Sequence, residues 1–482
     1  MKGDFFITTP VYYANAQPHI GHAYTTIAAD VLTRFKRLQK IDTFFLTGMD
    51  EHGAKIAQKA KEEGKSPQEL VDEVAADFKN LWGELGIKYD CFTRTTDKWH
   101  KKAVQASLQK LYDEGIIYKG EYEGKYCVGC EQFKNDSDLV DGKCPDHDKD
   151  PELMKEESYM MKMGEKQEEL IKKIKSDEFQ IFPERYKNEI LSFLENNKLE
   201  DLSISRKNIS WGVPLSFDET HTSYVWFDAF LSYLTGLGWK GTKEELVVND
   251  EKTLQFWPAS MNLIGKDILR VHATIWPIML MHLGIELPKQ LFVHGHILSD
   301  GKKMSKTLGN VISIDEMIEK FGVDATRYLL LTAGTFGEDV DVTMERLVEK
   351  YNADLANGLG NLLSRVVTLS SNFKFEILNF NLSLDDQVLD DEIGEFVNDL
   401  KFDKALGYIW KRIQRSNKYI EETKPWELAK GDIDKFEEVM NELIVNLYEV
   451  AELVKSFMPE TSEEIKKQLQ TGEKKILFER IK

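Results

Sequence analysis

The chain has 482 residues, of which 42% are hydrophobic and 30% charged, and a formal net charge of −19. Its length exceeds one ordinary core and excludes a small binding module; at roughly 150 residues per domain it implies about three domains. The acidic balance excludes duplex-DNA binding through a global basic field, while leaving room for a local basic face on an acidic body.

In chain order, Phe5 to Tyr13 reads as a buried strand. After a loop containing Asn15 and Pro18, the apolar residues Ile27, Val31, Phe35 and Leu38 recur at helical spacing. A second strand, Thr43 to Leu46, runs into Thr47-Gly48, and this rhythm predicts a parallel α/β sheet with ligands at the carboxyl ends of its strands. Between about Glu121 and Asp150 the pattern breaks into Gly- and Asp-rich segments carrying three cysteines, which reads as an insertion with little core of its own. Alternation returns near Ser203 to Trp211, and Leu291 to Leu298 reads as a further strand. Beyond Glu345 long helices are expected, with Leu355, Leu359, Leu362 and Val366 keeping one face apolar. The amino terminus lacks a secretory cleavage pattern, and the most apolar stretch, Ile275 to Leu283, is far shorter than the ~20 residues that cross a bilayer. A cytoplasmic protein without a membrane partner is expected, and four cysteines in such a chain suggest metal rather than disulfides.

Three constellations carry chemistry. Pro18-His19-Ile20-Gly21-His22 opens the first helix; its unpaired N–H groups and positive dipole end favour phosphate, and Gly21 lets a base or sugar approach the backbone. Taken alone, a capped helix with two incidental histidines also accounts for it. Gly301-Lys302-Lys303-Met304-Ser305-Lys306-Thr307 follows the later strand, where Lys303 and Lys306 can neutralise charge growing on a triphosphate; alone it is an ordinary solvated loop. Cys127-Val128-Gly129-Cys130 and Cys144-Pro145-Asp146-His147 are two ligand pairs able to close a tetrahedron of three thiolates and one imidazole, the composition of a structural zinc site.

The unaltered HIGH at His19 to His22 and the KMSKT at Lys303 to Thr307, in this order, resemble the two signatures of class I aminoacyl-tRNA synthetases. The departure in the second, threonine for serine, keeps the hydroxyl and both lysines. Across essentially the whole chain the resemblance is to the methionyl-tRNA synthetase family, through Tyr12-Tyr13-Ala14-Asn15, Gly48-Met49-Asp50-Glu51-His52-Gly53, Val225-Trp226-Phe227-Asp228-Ala229, Gly265-Lys266-Asp267-Ile268 and His272. It implies a methionine pocket of Tyr13, Trp226, Ala229, Tyr233, Ile268 and His272, with Asp50 on the ammonium. Aromatic walls suit a thioether, each sulfur–ring contact contributing about 0.3 to 1.5 kcal/mol. It implies catalysis by His19, His22, Lys303 and Lys306, and ATP–Mg2+ held by His19, Gly21, His22, Gly265, Asp267, His294, Gly295 and Lys306. It also implies a single zinc knuckle in the cysteine insertion. The large editing insertion of the isoleucine, valine and leucine enzymes finds no room between the two signatures, and no cysteine before Cys91 offers a cysteinyl-type pocket zinc.

The expected organisation is a Rossmann-like catalytic domain in two halves, 1–115 and 221–295, split by a connective zinc insertion at 116–220. A KMSKS-loop region at 296–345 then leads to an α-helical anticodon-binding domain at 346–482. In that domain the resemblance places Asn361, Arg365 and Trp426 on the CAU anticodon of tRNA(Met), by stacking and base-edge hydrogen bonds. Lys404, Lys411, Arg415 and Lys418, opposite Phe402, Leu406, Ile409 and Ile413, supply the local basic face, although any one of these lysines also fits an ordinary amphipathic helix. The expected activity is methionine–tRNA ligation by a monomer. A zinc-stabilised, catalytically inert tRNA-binding protein is disfavoured by the intact HIGH and both loop lysines. A small-molecule nucleotidyltransferase leaves the insertion and the helical tail unexplained.

Overall fold

The computed structural model describes residues 4–129, 132–134, 139–145, 148–207, 209–241, 255–304, 311–373, 375 and 391–482. Six strands form the central sheet: β1 (Phe5–Tyr13), β2 (Thr43–Asp50), β3 (Cys91–Arg94), β4 (Gln180–Phe182), β5 (Met261–Gly265) and β6 (Gln290–His294). Their spatial order is β3-β2-β1-β5-β6-β4 and every neighbouring pair is parallel. The chain winds outward from β1 through β2 to β3, then crosses to β4 at the opposite edge before laying β5 beside β1 and β6 between β5 and β4. This reversal leaves a crevice at the carboxyl ends of β1 and β5, where open α/β sheets bind ligands. Phe6, Ile7, Thr8 and Thr9 of β1 are all buried, as a strand covered on both faces requires.

The helices around the sheet are α1 (Ile20–Leu38), α2 (Pro67–Glu84), α3 (Lys98–Asp113), α4 (Val225–Thr235) and α5 (Leu269–Leu283). Helix α2 shows how local sequence sets a boundary: Ser66 accepts from the Glu69 N–H, Glu69 accepts from the Ser66 N–H, and Pro67 takes the first turn, where its missing N–H costs nothing.

The segment expected as an insertion is more structured than its composition suggested. Ile117–Cys127 and Glu152–Met161 form a long antiparallel hairpin in register from Ile117↔Met161 to Tyr126↔Glu152. Ile117, Tyr159 and Met161 at its base enter the same apolar core as α3, α4 and α5, and just past its far end the Gly129 carbonyl accepts from Lys55 Nζ. The expected 116–220 block is also not one separate body, because its strand β4 joins the edge of the central sheet beside β6. Strand β2 runs four residues beyond the expected Leu46, to Asp50.

Beyond residue 345 the described residues are mostly helical, including α6 (Asn361–Asn372), α7 (Phe402–Thr423), α8 (Pro425–Gly431) and α9 (Ile433–Val454). Phe402, Leu406, Ile409 and Ile413 are buried, and Lys404, Lys411, Arg415 and Lys418 are exposed. One difference from the sequence expectation is the stretch Tyr351–Gly360, which is π-helical rather than α-helical. There Trp410 Nε1 of α7 donates to the Asp354 carbonyl (3.1 Å) and Asn417 Nδ2 to the Gly358 carbonyl (3.2 Å), side chains from a neighbouring helix holding the wider turn. The apolar core of these helices is continuous with that beneath α1 and α2. Within it Arg327 is fully buried, donating to Asp30 of α1 (2.7 Å) and to the carbonyls of Leu85, Ser456 and Phe457. No helix among the described residues is long and apolar enough to cross a membrane.

Candidate active site

The amino terminus of α1 lies at the switch point. His19 caps the helix, its Nδ1 accepting from the Gly21 N–H (3.1 Å), and His22 Nδ1 accepts from the His19 N–H (3.3 Å). The two rings stack with centroids 3.6 Å apart. Because each Nδ1 accepts a backbone proton, each neutral ring carries its own proton on Nε2 and remains a donor there. Burial pushes the His19 pKa below the ordinary imidazole value against the opposing Asp267 carboxylate, and burial plus the neighbouring His19 push His22 well below it. Tyr12 fixes His22 from behind, its ring 4.6 Å away and its hydroxyl bonded to Thr26 (2.7 Å).

The second half of the sheet meets this helix directly. His294, last residue of β6, places Nε2 2.7 Å from the Thr25 hydroxyl of α1, and its Nδ1–H donates to the Gly295 carbonyl (2.8 Å). Gly265 and His294 are register partners at the ends of β5 and β6. A side chain at Gly295 would drive its Cβ to 2.3 Å from the Glu338 carbonyl, so only glycine permits that close passage of backbone. His19, Gly21, His22, Gly265, Asp267, His294 and Gly295 thus line one end of the crevice. Lys303 sits on the short strand Lys302–Lys303, whose backbone pairs with Ile297–Ser299. Lys306 lies outside the described residues.

The other candidate pocket residues gather beside them. Tyr13 and Asp50 are register partners at the carboxyl ends of β1 and β2, and Asp50 is buried. Helix α4 presents Trp226, Ala229 and Tyr233. The Tyr233 hydroxyl lies 3.0 Å from His272 Nε2, while His272 Nδ1–H donates to the Ile268 carbonyl (3.0 Å). That bond fixes the tautomer, so Tyr233 donates to Nε2. Burial lowers the His272 pKa to about 4, keeping the ring neutral near pH 7. Burial first, then the neighbouring Tyr12 and Asp50, raise the Tyr233 pKa, which keeps the phenol protonated. Trp226 and Phe230 stand edge-on to the His272 ring at 6.1 and 4.9 Å. The result is an uncharged aromatic cluster spanning α4 and α5, with the Asp50 carboxylate near Tyr233. Phe230 belongs to it, although the sequence reading did not single it out.

Two arrangements were also not anticipated. Asp228, inside the VWFDA motif, accepts from His52 (2.5 Å) and His100 (2.8 Å), and Glu51 pairs with Arg94 (2.6 Å) beneath the same loop. The motif spacing had marked Asp228 and His52, but nothing in the sequence pointed to His100 as their partner.

Of the four candidate zinc ligands, Cys127 at the end of the first hairpin strand and Cys144 in the connection to the second are buried, and Cys130 and His147 lie outside the described residues. Among the described residues no group of three or more His, Cys, Asp or Glu side chains could hold a metal ion. In the helical region Asn361 and Arg365 share a face of α6, Arg365 pairs with Glu421 of α7 (2.7 Å), and half-buried Trp426 follows at the start of α8.

A family model described as tRNA synthetases class I (M) matches residues 5–150 and 137–367. The methionine–tRNA ligase of Clostridium acetobutylicum is 46% identical over 479 residues, covering 97% of this chain and 73% of that protein. The methionine–tRNA ligase of Thermotoga maritima is 40% identical over 486 residues, covering 98% and 76%. Among solved structures, methionyl-tRNA synthetase of Mycobacterium tuberculosis in complex with methionyl-adenylate superimposes with a TM-score of 0.88 at 35% identity, covering 96% of this chain and 93% of that one. Its apo form gives 0.83 at 30% identity, covering 100% and 99%. With a family model matching most of its length and relatives of this identity along nearly all of it, the chain belongs to the methionine–tRNA ligases of the class I tRNA synthetase family.

Proposed function

We propose that this chain activates methionine with ATP to methionyl-adenylate and pyrophosphate, then transfers the methionyl group to the terminal ribose hydroxyl of tRNA(Met). The observation that carries the reading is the meeting, at one crevice, of the histidine-capped helix end with an aromatic cluster near Asp50. In the first step the methionine carboxylate attacks the α-phosphorus, forming a carboxyl–phosphate bond as the bond to pyrophosphate breaks. No deprotonated side chain is needed, so catalysis is positioning and charge stabilisation. His19 and His22 supply neutral Nε2–H donors beside the free N–H groups of α1, and Lys303 and Lys306 supply positive charge to the departing phosphates. Asp50 takes the ammonium; Tyr13, Trp226, Ala229, Tyr233, Ile268 and His272 enclose the side chain. Gly265, Asp267, His294 and Gly295 take the nucleotide, and Mg2+ enters with ATP. Charging of tRNA carrying a CAU anticodon with labelled methionine tests the reading: one methionine per tRNA terminus is expected, and no charging would overturn it.

In the insertion, two buried thiols at Cys127 and Cys144 suit a structural zinc, with Cys130 and His147 as the remaining ligands. Bound there, the metal would close the two turns and take no part in the chemistry. About one zinc per chain is expected. Metal analysis of a Cys127→Ser/Cys130→Ser variant should show its loss, and unchanged stoichiometry would refute the ligand set.

Asn361, Arg365 and Trp426 form the anticodon site, alongside the basic face of α7. The enzyme acts as a monomer in the cytoplasm. Trp426→Ala should weaken tRNA aminoacylation tenfold to more than a hundredfold, the loss of one stacking platform at about 1 to 3 kcal/mol. Exchange of pyrophosphate into ATP without tRNA should persist. If both reactions collapse together, Trp426 is a core residue; if neither changes, the anticodon lies elsewhere.

A further inference from the structure

Helix α4 has two functional faces. At 100° per residue, Trp226, Ala229 and Tyr233 fall within about 60° of one another, whereas Asp228 and Thr235 lie on the opposite side. The pocket face is therefore set by whatever holds the back of the helix. Asp228 is 1% exposed and its two oxygens accept from two different imidazoles, His52 Nδ1 at 2.5 Å and His100 Nε2 at 2.8 Å. His100, itself fully buried, reaches Thr235 Oγ1 with its other nitrogen (2.7 Å), so one ring of α3 spans α4 from Asp228 to its last turn. His52 lies two residues after Asp50. Its loop is held in turn by Trp211, which donates Nε1 to the Glu51 carbonyl (2.6 Å), accepts from the Gly53 N–H (3.1 Å) and packs edge-on against the His52 ring (5.6 Å).

A buried carboxylate with two imidazoles is expensive to hold in a core and is retained only where both bonds are satisfied. Burial alone would raise the Asp228 pKa, but the facing His52 and His100 keep it at about 2, so the group is a carboxylate at neutral pH. It joins the two elements that contribute to the proposed pocket: the loop that follows Asp50 at the end of β2, and α4, which carries Trp226, Ala229 and Tyr233.

We propose that the buried bridge His52–Asp228–His100 is a positioning device for methionine: it fixes the distance and rotation of the α4 aromatic wall relative to the Asp50 carboxylate without touching the substrate. The inference rests on the methionine pocket proposed above. Only a carboxylate offers acceptors to both rings. An asparagine leaves one ring without an acceptor unless it changes tautomer, and removes the charge that aligns both.

The test is calorimetric titration of methionine, together with the KM for ATP in pyrophosphate exchange, for Asp228→Asn and, as the pocket control, Trp226→Ala. Asp228→Asn should raise the methionine dissociation constant tenfold or more while the ATP KM changes less than twofold. His100→Asn should produce the same split to a smaller extent. An unchanged methionine constant in Asp228→Asn, with Trp226→Ala weakened, would overturn the positioning role and leave the pocket intact. A Trp226→Ala variant that binds methionine normally would overturn the pocket reading itself. Parallel loss for both substrates in Asp228→Asn would show a structural role only and overturn the inference. Should Asp228→Asn fail to fold, Thr235→Val, which removes only the far hydrogen bond of His100, decides the matter: a threefold or larger rise for methionine alone supports the device, and no such rise overturns it.

Discussion

Lys306→Ala will slow methionine-dependent pyrophosphate exchange by about 100- to 1,000-fold, the loss typical of one donor aimed at developing charge. Methionine binding will change less than threefold. The asymmetry follows from when the charge appears. Under the proposed mechanism the ground-state triphosphate is shared with solvent and the helix end; as the bond from the α-phosphorus to the pyrophosphate oxygen breaks, negative charge moves onto the leaving pyrophosphate, where a cation lowers the barrier. An interaction made only in the transition state reduces kcat and kcat/KM together, and that is the expected pattern. The neutral imidazoles of His19 and His22 cannot replace it, because burial holds both below their ordinary pKa and leaves them hydrogen-bond donors without charge. Equal losses in methionine binding and in rate would show instead that the loop shapes the pocket.

Asp30→Asn should cost about 3 to 5 kcal/mol of folding stability, the usual penalty for stripping one partner from a buried pair. Set against a typical total of about 5 to 15 kcal/mol, that is a large fraction. Arg327 is wholly buried, and Asp30 is the anion it meets at 2.7 Å; its other partners are the carbonyls of Leu85, Ser456 and Phe457. Arg34, which shares Asp30, is partly exposed and can turn to solvent, whereas Arg327 cannot. The pair ties the histidine-capped helix α1 to the end of α9, so its loss should loosen the helical region from the sheet. Replacing both partners, as Asp30→Leu/Arg327→Met, should recover much of the stability, since no charge is then left buried. Urea unfolding of the single and double variants measures both effects, and an Asp30→Asn variant within 1 kcal/mol of the parent contradicts the account.

The parts of this fold legible in the sequence are those whose signals are local. A nine-residue apolar strand, a capping histidine pair and a helical stripe to Leu38 announce β1 and α1 without reference to anything distant. Tyr13 could be placed at a strand end and Asp50 only in the loop after the second strand; parallel pairing of β1 with the longer β2 makes them neighbours. The spacing of Phe402, Leu406, Ile409 and Ile413 likewise gave the buried face of α7. What escaped depends on contacts far apart in the chain. Strand β4 is three residues long and derives its place from pairing with β6, more than a hundred residues later. The π-helical turn before α6 is held by Trp410 and Asn417, which no local pattern in 351–360 reveals. Asp228 draws its partners from positions 52 and 100, and Arg327 its anion from position 30. Buried polar groups of this kind are satisfied by topology, and topology is the last thing a single sequence discloses.

The central claim is that the proposed pocket between Asp50 and α4 selects methionine for activation. Pyrophosphate exchange into ATP, measured without tRNA for each of the twenty standard amino acids, tests it most directly. The account predicts exchange driven by methionine and at most weak exchange from the rest, because an uncharged aromatic wall closed by the Tyr233–His272 bond suits a polarizable, unbranched thioether. Robust exchange driven by a different amino acid, with methionine inert, would contradict it.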